Sequence, residues 1–124
     1  MKSIAITLLI CGFLMDANAQ LTDTKWKNVM NIPQPTDCIL QFKKDTLLLL
    51  VAADGSLVET MKYSINKDTL KLYKLSGLSP CTEDIVGLYI FAIKDDKMTI
   101  TPSSDECSDR AEAFKPEAWI REKN

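Results

Sequence analysis

The feature that most limits what this chain can become is an apolar rhythm of period two, broken repeatedly by short polar corners. Three corners are alike: Phe42-Lys43-Lys44-Asp45-Thr46-Leu47, Ile65-Asn66-Lys67-Asp68-Thr69-Leu70 and Ile93-Lys94-Asp95-Asp96-Lys97-Met98 each set Lys and Asp between two apolar runs. Asp and Asn side chains bond the local backbone and tolerate unusual φ, so each corner is expected to be a tight hairpin. A fourth lies at Ala53-Asp54-Gly55-Ser56, where Gly55 can take positive φ.

These corners delimit about eight predicted strands, over residues 25–30, 38–42, 46–52, 57–65, 69–75, 85–93, 98–101 and 118–122. Consecutive hairpins make a meander, and a meander removes its exposed edges by curling until its first and last strands meet. The expected class is therefore all-β, an antiparallel up-and-down barrel. One short helix is expected near the C-terminus, within residues 106–114 around Arg110-Ala111-Glu112-Ala113, with Pro116 stopping it.

The amino end reads as a signal peptide over residues 1–19. Met1-Lys2 is positive, the run from Ile4 to Met15 is apolar, and Ala17-Asn18-Ala19 is a small-x-small cleavage pattern. The apolar run is shorter than the roughly 20 residues a spanning helix needs, which argues against a membrane anchor. Cys11 sits inside that run and lacks the small preceding residue of a lipidation site. The expectation is export, periplasmic or secreted, leaving one domain over residues 20–124. No second apolar stretch reaches spanning length, so an integral membrane role is not expected. Fifteen basic residues are scattered among seventeen acidic ones, so no nucleic-acid partner is expected either.

There are no histidines. Ser-His-Asp and Cys-His nucleophiles, histidine metal sites and histidine acid-base catalysis are thereby excluded. The carboxylate pairs Glu83-Asp84 and Asp95-Asp96 are adjacent, so in extended chain they point to opposite faces. The stretch with Asp105, Glu106 and Asp109 has no glycine for a calcium loop and reads as a solvated loop. With only four glycines there is no phosphate-binding loop. No catalytic residue, metal site or cofactor is assigned, and an enzyme is not expected.

Alternation selects the barrel interior: Leu40, Phe42, Leu47, Leu49, Val51, Met61, Tyr63, Ile65, Leu70, Leu72, Tyr89, Phe91, Ile93, Met98 and Ile100. Eight strands enclose a space that side chains either fill or share with one small ligand. Candidate ligand-binding residues are Phe42, Met61, Tyr63, Tyr89 and Phe91. Glu59 falls on the face of Leu57 and Met61, where it could meet a polar ligand group or sit exposed at the rim or at a bulge. Leu48, Leu50, Leu88 and Ile90 point outward and require cover, from the 106–114 segment or from another protein.

Trp26 on the first strand and Arg121 on the last, with the run Gly-Leu-Tyr-Ile-Phe-Ala-Ile-Lys-Asp-Asp-Lys-Met-Thr-Ile over residues 87–100, resemble the small secreted bacterial lipocalin-like (calycin) barrels. The resemblance spans most of residues 23–122. It implies that Arg121 covers Trp26 to close the barrel, and that the barrel holds a small apolar or amphipathic molecule.

Three cysteines follow the signal segment, an odd number in a compartment that favours disulfides. Cys81 and Cys107 lie about equally far on either side of the Lys94 to Asp96 corner, so they are expected to meet across the open end of that hairpin and bridge. Strand direction puts Cys38 at the same rim, either buried and inert or as part of a thiolate site. Two functions remain: a binding barrel for a small hydrophobic ligand, or a protein-binding module such as a secreted barrel-type protease inhibitor. The second would contact a protein partner, or a second copy as a homodimer, through the rim at residues 32–36 with the cysteines or through residues 20–23.

Overall fold

A computed structural model of the chain describes residues 20–114 and 117–123. The signal peptide expected over residues 1–19, and Pro116 as the helix stop, lie outside the described residues. The elements run β1 (Thr24–Asn31), β2 (Pro35–Phe42), β3 (Thr46–Val51), β4 (Leu57–Asn66), β5 (Thr69–Gly77), β6 (Gly87–Lys94), β7 (Lys97–Asp105), α1 (Ser108–Ala113) and β8 (Trp119–Glu122). Each strand pairs antiparallel with the next, and β8 returns to β1, so the sheet closes into the expected up-and-down barrel.

The corners explain why the meander forms. Asp95 and Asp96 stand at φ 53° and 62° between the paired Lys94 and Lys97, a two-residue turn whose twist matches that of the strands it joins. Lys67 adopts φ 60° in the corresponding corner between Asn66 and Thr69. These corners gather at one end of the barrel, its base. The other end, the mouth, carries the longer connections around residues 32–34, 52–56 and 78–86, together with α1.

The base is closed by β1 and β8. Trp26 pairs directly opposite Arg121, whose guanidinium lies 5.7 Å from the indole centroid. The Trp26 Nε1 donates to Thr24 Oγ1 at 2.8 Å, and the Thr24 hydroxyl donates to the Leu21 carbonyl. Leu21 is itself fully buried in the packed base, while Gln20 and Asp23 remain exposed. Across the seam the Arg121 N–H donates to the Asp96 carbonyl at 2.8 Å, and Lys123 pairs with the Asp96 carboxylate at 2.9 Å.

The interior is the one alternation selects. Of those residues, Val51, Ile65 and Ile93 are half-buried against the core and the others are buried. Leu21, Met30, Val58, Phe114 and Trp119 join them. On the outside, Leu48 and Leu50 are half-buried, while Leu88 and Ile90 remain exposed. The helix does not cover this pair, because Arg110 and Phe114 carry it onto the mouth. Among the described residues no helix is long and apolar enough to cross a membrane.

Candidate functional site

The mouth holds a cavity of about 250 Å³. Its floor is apolar, formed by Met30, Leu40, Leu49 and Met61, and α1 roofs it with Ala113 and Phe114. Ile32 and Pro33 from the β1–β2 connection and Leu78 and Pro80 from the β5–β6 connection make the lip. Glu59, Ser79 and Arg110, with Asn31 and the exposed Asp109, bring charge and hydrogen-bonding groups to the lining. The volume is just below the roughly 300–1,000 Å³ of pockets for drug-sized ligands, so an occupant would be small.

Glu59 reaches this space by keeping the inward alternation of Met61, opposite Leu49, and a local irregularity separates it from Leu57. Leu49 pairs with Glu59 but Leu50 pairs with Leu57, so the register slips by one residue at Val58. A bulge turns consecutive side chains onto unexpected faces. Leu57 is left outside at 53 % exposure, whereas Glu59 turns inward at 4 %. The expectation that Leu57 and Glu59 share a face is corrected by that slip; Glu59 stands beside a bulge, one of the placements open to it, but is buried rather than exposed to water. Both carboxylate oxygens are held by Ser79, Oε1 accepting its N–H at 3.1 Å and Oε2 its hydroxyl. Gly77 makes room, at φ 139°, since a Cβ there would stand 2.2 Å from Glu59 Oε1.

Beside it, Asp105, Arg110 and Tyr89 form a buried polar clasp. Asp105 closes β7 with its side chain wholly buried and receives Arg110 in a fork, Nε to Oδ2 at 2.6 Å and Nη2 to Oδ1 at 2.8 Å. The Cys107 N–H donates to Oδ1 at 2.9 Å, and the Tyr89 hydroxyl donates to Oδ2. Arg110 Nη2 also donates to the Ile85 carbonyl at 3.1 Å, while the buried Nη1 has no hydrogen-bond partner among the described residues. Burial alone would push the Asp105 carboxyl up. The Arg110 and Tyr89 hydrogen bonds, then the Cys107 N–H, outweigh it and hold the group below the ordinary carboxylate range. Burial, and then the bond to Asp105, push the Tyr89 hydroxyl far above the ordinary tyrosine range. The solvated loop expected around Asp105 is thus, at Asp105 itself, a buried anchor. Its signal in the sequence is faint: an Asp two residues before Cys107, with an Arg three residues beyond.

Cys81 and Cys107 are bridged, as expected, with Cα atoms 5.6 Å apart. The bridge joins the β5–β6 connection to the residue that opens α1, so the mouth is fastened covalently next to the Asp105 clasp. Cys38 is free and fully buried, and burial pushes its thiol up. Among the described residues no cluster of three or more Cys, Asp or Glu is arranged to hold a metal.

Of the five residues expected to bind a ligand, Met61 lines the cavity. Phe42 and Tyr63 instead meet edge to face, ring centroids 5.2 Å apart, and fill the base, where the Tyr63 hydroxyl donates to the Lys43 carbonyl. Tyr89 packs against Phe114 at 4.9 Å and spends its hydroxyl on Asp105, and Phe91 is buried in the core. The aromatic interior is therefore mostly filling, and the open space lies above it among Met and Leu side chains and the one buried carboxylate, Glu59. Comparison with known proteins finds no family model, no curated protein and no solved structure that matches this chain.

Proposed function

We propose that this domain is an exported, non-enzymatic binding barrel that holds one small amphipathic molecule in its mouth. The observation that carries the reading is the cavity of about 250 Å³, whose floor is apolar and whose few polar side chains are Asn31, Glu59, Ser79, Asp109 and Arg110. A few fixed polar groups in an otherwise apolar hollow are what orient a small ligand. The Trp26–Arg121 closure and the eight-strand meander support kinship with lipocalin-like barrels. The Cys81–Cys107 bridge supports delivery to an oxidising compartment.

The test is native mass spectrometry of the protein purified from its own source, compared with the denatured mass. A discrete added mass that disappears in Met61→Trp, a substitution that fills the floor, supports the reading. A bare protein that also fails to take up any eight-carbon amphiphile would sink it. A second reading, a protein-binding module, is favoured by Leu78, 80 % exposed on the lip, and by the exposed Val86, Leu88 and Ile90. Pull-down of a protein that Leu78→Asp releases would support this alternative.

A further inference from the structure

We infer that the mouth cavity selects a cationic ligand, a small amphipathic amine whose ammonium pairs with Glu59. The inference rests on the binding reading above and goes on to name the ligand's charge.

The argument is one of charge accounting among buried groups. Three ionisable side chains line the cavity: Glu59 and Arg110, both buried, and the solvent-exposed Asp109. The guanidinium is already matched, because Asp105 takes it in a two-pronged pair and is itself shut away from water. Glu59 has no such match. Among the described residues no lysine or arginine forms an ion pair with it, and Ser79 gives it two donors but no positive charge. Lys74, on the neighbouring strand, turns its ammonium to the Ser79 carbonyl at 2.6 Å instead. Taken together, Arg110 and Asp105 cancel, and the wall is left negative, with Glu59 as its buried charge and Asp109 as an exposed one in water.

A carboxylate is costly to bury unless a cation or enough donors meet it. Here two separate devices hold it against the cavity: the missing side chain at Gly77, and the N–H and hydroxyl of Ser79. An entering ammonium would supply the absent counter-charge in a space of low polarity, where such a pair is stronger than in water. The Phe114 ring lines the same space, and aromatic faces also attract cations. An entering carboxylate would face Glu59 as a like charge, and Arg110 Nη1 offers little relief because that atom is itself closed off from the cavity surface.

The experiment is calorimetric titration of the disulfide-bonded protein at pH 7 with three probes of equal length: octylammonium, octan-1-ol and octanoate. Octylammonium is expected to bind at least about tenfold more tightly than octan-1-ol, the scale of one charged hydrogen bond, with octanoate weakest. In Glu59→Gln the ammonium's advantage should shrink below about threefold while octan-1-ol keeps its affinity. Octanoate binding as tightly as octylammonium, or a preference that survives in Glu59→Gln, overturns the inference and leaves the cavity reading standing. If none of the probes binds, the cavity reading fails and takes this one with it. The wild-type ranking stands independently of how well the variant folds.

Discussion

Replacing Asp105 with alanine should be the most damaging polar substitution in the domain. The change removes one acceptor pair from four donors: Arg110 Nε and Nη2, the Cys107 N–H and the Tyr89 hydroxyl. The guanidinium left behind is 3 % exposed, so water cannot replace the lost partner without opening the mouth. Stranding one member of a buried pair costs about 3–5 kcal/mol. A domain of this size has a total stability of about 5–15 kcal/mol, so the loss takes a large share of it and lowers the melting temperature on the order of 20 °C. Urea unfolding followed by tryptophan fluorescence is a direct assay, because Trp26 and Trp119 are both fully buried. The exposed Glu112→Ala on the same helix is the control, expected within about 0.5 kcal/mol of the parent. Arg110→Met should cost less in the Asp105→Ala background than alone, since the stranded charge is then removed. A loss below about 1 kcal/mol for Asp105→Ala, or strict additivity of the two changes, would refute the claim that the clasp acts as a unit.

The same clasp sets the pH range of stability. Asp105 is depressed in the fold, so its contribution is present above its unfolded value near pH 4 and drains away as pH falls through the lower folded value; chemical denaturation below about pH 4 should show it, and Asp105→Asn should flatten the acid limb. Tyr89 is raised, so its contribution is intact below about pH 10 and declines above that, a limb that Tyr89→Phe should reduce. Gly77→Ala forces a Cβ to within 2.2 Å of Glu59 Oε1 and 2.7 Å of the β4 backbone at a φ that L-residues resist; a loss of at least about 2 kcal/mol in thermal melting is expected. Cutting the Cys81–Cys107 bridge with paired serines should cost about 3.5 kcal/mol on the chain-entropy estimate for a separation of 26 residues, whereas Cys38 should resist a bulky thiol reagent until the domain is unfolded.

The barrel was legible because alternation and corner chemistry agree. Asp95, Asp96 and Lys67 take the positive φ that tight hairpins demand, and the predicted interior from Leu40 to Ile100 points inward. The site was harder to read, since it depends on more than alternation. Alternation with Met61 turns Glu59 inward, but the slip at Val58 that sends Leu57 outside, and the Ser79 and Gly77 contacts that bury the carboxylate, have no clear sequence mark. Asp105 looked like one of several acids in a polar loop, and only closure of the mouth shows that Tyr89, Arg110 and Cys107 converge on it. The aromatic residues drew attention as ligand contacts because they are large. Size is the reason they fill the base and leave no room there.

The strand that closes the barrel is also its shortest. β8 is four residues long, with three register pairs to β1 and two to β7, against eight between β1 and β2. Amide protection depends on how much structure must separate to release a given hydrogen, and here the smallest unit that can let go is β8 itself. Hydrogen exchange should therefore be faster at Ile120 and Arg121 than in β2 or β4, as the strand lifts away and takes the Trp119 indole out of the core. While it is lifted, β1 and β7 are bare edges, and the β8 of a second molecule can lie in the gap as well as the chain's own. Short as it is, this strand decides whether concentrated protein stays as separate barrels or exchanges strands into swapped pairs.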